Sequence, residues 1–407
     1  MKLVATVKLL CSKVQREQLL ASMRRCNEAC EWLGEQAFEE KTADKIRLQR
    51  EHYGALRERF GLSAQMAVRA ISKVCEAYKR DKTKRPRFKP LGAVAYDQRL
   101  YSFKGGLDRL SILSLAGRIL VPVAIGSYHR GRLEGARGQA DLVYRGGALY
   151  LYVTVEVPDG SPVEIKSTLG VDLGIRNLAT DSDGKHHSGD EVEATRVRYG
   201  ELRRRLQASG TKSAKRHLKK SSGREYRFRS DTNHRISKQL VAKARGTGRR
   251  IALEDLSGIR DRVTVRGPTQ RSRLHGWSFF QLRAFVSYKA ALAGIPVILV
   301  DPRNTSRECP ACHHTAKENR KSQAEFLCRS CGFAAHADWV GATNIARRAD
   351  VMRPIVSRQN GETVQPDTSV RDFNPAHCDD FRRPGGTGAV APDPDIGGIG
   401  ESESDKP

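Results

Sequence analysis

Four of the nine cysteines in this 407-residue chain fall in a strict order: Cys309-Pro-Ala-Cys312 and Cys328-Arg-Ser-Cys331, with fifteen residues between the pairs. Two such pairs let two short knuckles face each other and complete a tetrahedral thiolate shell around Zn²⁺. The competing readings are a pair of disulfides or chance, and a basic chain without a secretory signal argues against disulfides. Four protein thiolates leave no position for a water, so one structural Zn²⁺ is expected and the chemistry must come from elsewhere. Cys11, Cys26, Cys30, Cys75 and Cys378 show no comparable pattern. Cys26 and Cys30, four apart on an expected helix, read as small apolar packing residues.

The second constraint is the placement of acids in apolar strands. Thr168 to Asn177 reads as a buried strand that delivers Asp172 between Gly170 and Gly174. A carboxylate there is unfavourable unless a metal or cation neutralises it. The pattern recurs at Arg250 to Leu256, where a short apolar strand ends in Glu254 and Asp255, and Asp338 stands at the expected start of a helix. Taken singly, Asp172 could be a turn residue and the others helix N-caps. Taken together, they are hard oxygen ligands suited to two Mg²⁺, or Mn²⁺, astride a scissile phosphate.

The charge balance names the kind of partner. Lys plus Arg exceed Asp plus Glu by 26, an excess that a fold does not need and that fits a large polyanion. The last stretch, residues 353–407, holds six basic and ten acidic residues and is rich in Gly, Pro, Asp and Ser, so a disordered acidic tail is expected. Hydrophobic residues make up 39% of the chain, enough for real cores, and no apolar run approaches the ~20 residues of a membrane span. The N-terminus lacks a signal-peptide cleavage pattern. Secreted disulfide scaffolds and membrane proteins are therefore set aside.

The strand around Asp172, the strand ending at Glu254, the knuckle Asn304-Thr-Ser-Arg-Glu-Cys-Pro-Ala-Cys312 and His336-Ala-Asp338 resemble the TnpB family. These are transposon-encoded, RNA-guided DNA nucleases with a RuvC-like (ribonuclease-H-like) domain, related to type V CRISPR effectors. The resemblance runs from the N-terminal strand to about Arg348. It implies that Asp172, Glu254 and Asp338 are the catalytic, metal-binding acids, with Cys309, Cys312, Cys328 and Cys331 in a zinc ribbon inserted before the third. Many relatives carry Asn two residues after the third acid, where this chain has Val340; Asn344 remains.

The expected architecture is a multidomain α+β chain. Residues 1–12 and 81–165 read as a β-barrel wedge domain and 13–80 as an inserted helical recognition lobe. Residues 166–305 and 334–352 read as a RuvC-like α/β nuclease domain, with the zinc ribbon at 306–333. Leu19, Leu20, Met23, Cys26, Ala29, Cys30, Leu33 and Phe38 form one apolar helical stripe. Short β-rich runs follow at 111–115, 118–125, 140–144 and 149–157. A helix is expected over 274–293, with Trp277 in the core, and a buried strand over 295–300.

Two basic stretches are candidate nucleic-acid contacts. The first holds Lys82, Lys84, Arg85 and Arg87 around Phe88. The second, residues 202–229, carries eleven Lys/Arg against one acid, Glu225, and includes Lys215, Arg216, Lys219, Lys220, Arg224, Arg227 and Arg229. It reads as a grip on the phosphates of a guide–target duplex or as a solvated helical hairpin.

The resulting expectation is an RNA-guided, Mg²⁺-dependent DNA endonuclease that reads a short duplex motif beside its target and cuts at one RuvC-like site. Guide RNA and double-stranded DNA are its expected partners, a monomer on the RNA its expected state, and the prokaryotic cytoplasm, on the nucleoid, its expected place. The alternatives are a compact type V CRISPR effector and a guided DNA-binding regulator that does not cut. A cut-and-paste transposase of the same fold ranks lower, since no terminal-repeat-binding module is evident.

Overall fold

The computed structural model describes residues 1–135, 137–257, 267 and 278–351. The expected acidic tail and Trp277 lie outside the described residues.

The N-terminal half interleaves helices with one antiparallel sheet. β1 (Lys2–Leu9) leads into α1 (Lys13–Glu39), α2 (Lys45–Phe60) and α3 (Ala64–Arg80). Then come β2 (Val94–Tyr96), β3 (Tyr101–Lys104), β4 (Arg109–Ser114), β5 (Gly117–Ala124), α4 (Ser127–Leu133), β6 (Arg137–Arg145) and β7 (Ala148–Glu156). The strands hydrogen-bond in the order β2-β6-β7-β1-β5-β4-β3. The outer strands β2 and β3 are joined by only residues 97–100, so Tyr96 and Tyr101 can be at most about 18 Å apart. Seven strands laid flat would span about 29 Å, so the sheet must curl round on itself. Side chains bridge the seam: the Tyr101 hydroxyl donates to Gly138 O on β6 (2.8 Å), and the Tyr96 hydroxyl to Leu113 O on β4 (3.0 Å).

Helix starts are set by side-chain caps, Ser12 with Gln15 in a reciprocal capping box, Asp44 and Ser63. The apolar faces of α1–α3 and the inner face of the sheet form one continuous core, in which Leu19, Met23, Leu33, Leu56, Ile71, Tyr96, Ile112 and Leu151 are fully or almost fully buried. Phe38 departs from the expected stripe. It is 37% exposed, and Ala37 is buried in its place, because residue 37, four after Leu33, continues the buried helix face, while Phe38 packs edge-on against Tyr78.

The second half is an α/β layer. β8 (Ser167–Asp172), β9 (Asn177–Asp181) and β10 (His186–Ser188) form an antiparallel meander. After α5 (Asp190–Ser209) and α6 (Lys212–Gly246), β11 (Arg249–Glu254) pairs parallel to β8; after α7 (Phe279–Leu292), β12 (Val297–Val300) pairs parallel to β11. The sheet order is β10-β9-β8-β11-β12. β8 and β11 read as nearly unbroken apolar runs because both their faces are covered. Leu169, Val171, Ile251 and Leu253 meet Ile236, Leu240, Leu282 and Val286 of α6 and α7. The opposite face meets α8 (Ala337–Val351), where Ala252 and Val300 pack on Ile345 and Ala349. Between β12 and α8 lies a small ribbon with β13 (Glu325–Leu327) and β14 (Ala334–His336).

Residues 157–166 connect the halves: Val157 N still donates to Met1 O on the N-terminal side, whereas Gly160 N donates to Ala291 O, Val163 N to Gly294 O and Lys166 N to Gly248 O on the α/β side. Among the described residues, no helix is long and apolar enough to cross a membrane.

Candidate active site

Three residues on one face of β8 set the position of α8. Thr168, Gly170 and Asp172 point the same way because side chains alternate along a strand. The Thr168 hydroxyl donates to Asp350 near the end of α8 (2.6 Å), and buried Arg250 ties Thr168, Asp350 and Ala349 O together. Gly170 has no side chain because a β-carbon there would fall on Ala342 O and lie 2.6 Å from Ala346 N. Asp172 lies against Gly341, whose β-carbon, if present, would be 3.3 Å from Asp172 Oδ2. The four residue steps from Thr168 to Asp172 and the nine from Gly341 to Asp350 both span about 13 Å, so the two elements run antiparallel in matched length. The first turn of α8, with Asp338, is thereby brought to the end of β8 that carries Asp172.

Glu254 arrives from the neighbouring strand. The register pairs Leu253 with Val171, so Glu254 and Asp172 are the next residues on adjacent parallel strands. Glu254 is 8% and Asp338 9% exposed. Burial pushes the Asp172 carboxyl well above its usual range, and the nearby Glu254 and Asp338 carboxylates push it further, with Arg320 acting against them. Burial also raises Glu254, opposed by a hydrogen bond from the Thr305 hydroxyl. Asp338 accepts from Asn177 Nδ2 (2.8 Å) and has the Arg320 guanidinium 3.6 Å away. Asp255 turns outward to Arg283 (2.9 Å), which separates its role from that of Glu254.

This donor set fits a divalent cation. It is all oxygen, and two of its carboxyls are penalised as free anions, a penalty that a bound cation removes. The three acids do not crowd around one point. Among the described residues, the groups whose ligand atoms all lie within 4.8 Å of one another are the four cysteines and Glu40, Glu51 and His52. Asn177, Thr305, Arg320 and the two close-approach glycines are the neighbours that sequence reasoning did not assign.

The cysteine quartet also fits its expected ion. Cys309 and Cys331 Sγ are 3.6 Å apart, and Cys312 and Cys328 Sγ 3.5 Å. These distances are too long for the S–S bond of about 2.05 Å and close to the roughly 3.8 Å between ligands of a tetrahedral zinc thiolate. Burial acts against Cys328, but backbone N–H groups of Cys331 and Ser330 outweigh it and bring the thiol down to about 6, near the range of a ready thiolate ligand. The two knuckles share one geometry. His313 N returns to Cys309 O and Gly332 N to Cys328 O, with His313 at φ 62° and Gly332 at φ 75°.

The ribbon is built onto the acid-bearing helix. Cys309, Phe326 and Cys328 share a cluster with Ala337 and Val340 of α8. Val340 is fully buried there, so the departure at this position fills the ribbon interface with an apolar side chain. Asn344 is fully buried. Its Nδ2 donates to Thr305 O and Glu308 O, both at 2.8 Å, while Glu308 binds Arg347 and Arg348 (2.9 Å for the latter).

Two family models match the chain on either side of residues 258–278: OrfB_IS605, "Probable transposase", over residues 152–257, and "Cas12f1-like, TNB domain" over residues 279–345. The first contains Asp172 and Glu254; the second contains the ribbon and Asp338. A CRISPR-associated endodeoxyribonuclease Cas12f1 of Sulfoacidibacillus thermotolerans is 42% identical over 121 residues, 29% of this chain and 27% of that protein. A TnpB-like protein of Methanocaldococcus jannaschii is 35% identical over 132 residues, 32% of this chain and 47% of that protein. Over these residues the chain is similar to the TnpB family. Its matches thus span less than half the length of these two relatives. The fold is shared more widely: the Cas12f1 chain of a Cas12f1–sgRNA–target DNA complex superposes with a TM-score of 0.55 at 14% identity, covering 81% of this chain and 83% of that one. The chain accordingly shares the overall fold of that effector.

The basic candidates fall into two groups. Lys82, Lys84 and Arg87 are exposed, whereas Arg85 is half-buried and bound to Glu35 (2.6 Å) and Glu31 (3.5 Å). Arg85 therefore pins its segment to α1. The 202–229 run spans the end of α5 and the first half of α6, where Lys215, Arg216, Lys219, Lys220, Arg224 and Arg227 are exposed and Arg229 is half-buried. Buried residues in this run are few and small or polar: Ala214, Ser221 and Glu225. Glu225, the single acid of the run, is ion-paired with Arg203 and joins the two helices.

Proposed function

We propose that this chain is an RNA-guided DNA endonuclease that hydrolyses phosphodiesters at one site made of Asp172, Glu254 and Asp338. The observation that carries the reading is the convergence of these acids from two adjacent parallel strands and one helix, with Asp172 and Glu254 raised above the usual carboxylate range. Asp172, Glu254 and Asp338 would hold Mg²⁺ or Mn²⁺, and their spread beyond a single tight cluster suits two ions. When bound, such ions supply the positive charge that activates water and stabilises the departing oxygen.

The chain's own residues supply orientation. Asn177 fixes one oxygen of Asp338. Arg320, contributed by the ribbon, is placed to meet a phosphate oxygen of a strand lying over the acids. The curled sheet and α1–α3 correspond to the wedge (1–12 and 81–165) and recognition lobe (13–80), which would read the duplex motif. The exposed cations of α5 and α6 would follow the backbone of a guide–target duplex. Sequence choice would rest on base pairing with the RNA.

Expression with native flanking DNA, purification at high salt and sequencing of the bound nucleic acid tests guidance. One discrete RNA with a fixed scaffold and a variable end supports the reading, and its genomic source separates a transposon from a CRISPR context. A smear of cellular RNA would leave an unguided metal nuclease.

A further inference from the structure

Glu254 is held by a residue from outside its own strand. Thr305 follows β12 and immediately precedes the first zinc knuckle, and it is 3% exposed. Its Oγ1 lies 2.5 Å from Glu254 Oε1 and 3.1 Å from Pro302 O. A hydroxyl has one proton to give. The carboxylate is the closer and, as an anion, the stronger acceptor, so the proton belongs to Glu254. Thr305 is fixed in turn: its carbonyl accepts from Asn344 Nδ2, and the same amide holds Glu308 O, three residues further along and clamped by Arg347 and Arg348. A continuous line of hydrogen bonds thus runs from α8 through the start of the ribbon to the acid on β11.

We propose that Thr305 is a positioning residue for the metal site, committing Oε1 of Glu254 to a hydrogen bond so that Oε2 is the oxygen presented to a cation. The proposal rests on the metal-site reading above. A bare carboxylate on a two-methylene stem rotates between ligand poses, and removing a partner that fixes it typically weakens metal binding by about 10- to 100-fold. The backbone hold on Thr305 by Asn344 also means that α8, not only the strand, sets the pose of Glu254.

The test is Mn²⁺ binding by electron paramagnetic resonance on the zinc-loaded, full-length protein, with zinc content and melting temperature recorded for each variant. Thr305→Val keeps the volume and removes the donor; we expect Mn²⁺ affinity at the acids to fall by about tenfold or more with zinc content unchanged. Thr305→Ser should restore it. If Thr305→Val fails to fold, Thr305→Ala read against Thr305→Ser gives the same comparison. Wild-type affinity in Thr305→Val or Thr305→Ala would overturn the proposal. Equal Mn²⁺ binding by wild type and Asp172→Ala would instead overturn the metal-site reading itself, so the two failures are distinct.

Discussion

A side chain on Gly170 of β8 would fall on the carbonyl oxygen of Ala342 of α8, because the two backbones touch there. That close approach is what lets a carboxylate on a helix and one on a strand share a site. Gly170→Ala should therefore do more than remove flexibility. The obstruction is backbone, which cannot swing aside, so we expect a destabilisation of about 3 kcal/mol, at the upper end of ordinary overpacking. Cleavage should fall further than stability, because α8 carries Asp338 away as it shifts. Thermal melting beside cleavage rate checks this, and Gly341→Ala, with a 3.3 Å approach to Asp172, should be the milder of the two.

Without added divalent cations, Asp172 should make the fold less stable as pH rises. Its folded value is raised by burial and by Glu254 and Asp338, so the native state keeps a proton that the unfolded chain gives up near about pH 3.9. Where the native state binds more protons, stability falls with pH. The decline begins above about pH 4 and ends once pH passes the raised folded value. Asp172→Asn should remove this slope, melt higher than wild type at neutral pH and fail to cut. A wild-type melting profile with the same pH slope as Asp172→Asn would count against the buried acid cluster.

Replacing Cys309 with Ser should release zinc and loosen the start of α8 while the curled sheet stays intact. The reason is local: Cys309 and Cys328 share their apolar cluster with Ala337 and Val340, on either side of Asp338. Hydrogen exchange should report weaker protection in the ribbon and the first turns of α8, and little change in β1, β5 and β7. Full zinc occupancy in Cys309→Ser would contradict the four-thiolate site.

Charge reversal separates the basic residues that bind from those that fold. Lys219→Glu with Lys220→Glu, both exposed on α6, should weaken nucleic-acid binding across sequences. The salt slope should drop by about 0.7 to 0.9 for each phosphate that is no longer neutralised. Arg85→Ala should instead lower stability, since its guanidinium is occupied by Glu31 and Glu35. Binding titrations at several salt concentrations, with melting curves, distinguish the two.

What could be read from the sequence is what depends on near neighbours. The cysteine quartet declares itself by spacing. Asp172 and Glu254 stand out as candidates because each interrupts an apolar run that strand burial explains. Thr305, Asn177 and Arg320 could not be read in this way: Thr305 is 51 residues from Glu254, and Asn177 is 161 from Asp338, so their roles exist only once the sheet has formed. Local pattern also misplaced some residues. Arg85 suggested a free cation and is an anchor bound to Glu31 and Glu35. β2 and β3, at three and four residues, are too short to show alternation, and their place at the seam of the curled sheet depends on strands far along the chain.

The most direct test of the account is cleavage by the purified protein with its bound RNA, on a matching DNA target, comparing wild type with Asp172→Ala and with Mg²⁺ present or withheld. The account predicts that wild type cuts only with Mg²⁺ and a matching target, and that Asp172→Ala binds RNA and target as tightly and does not cut. Cleavage by Asp172→Ala at a rate comparable to wild type would contradict it.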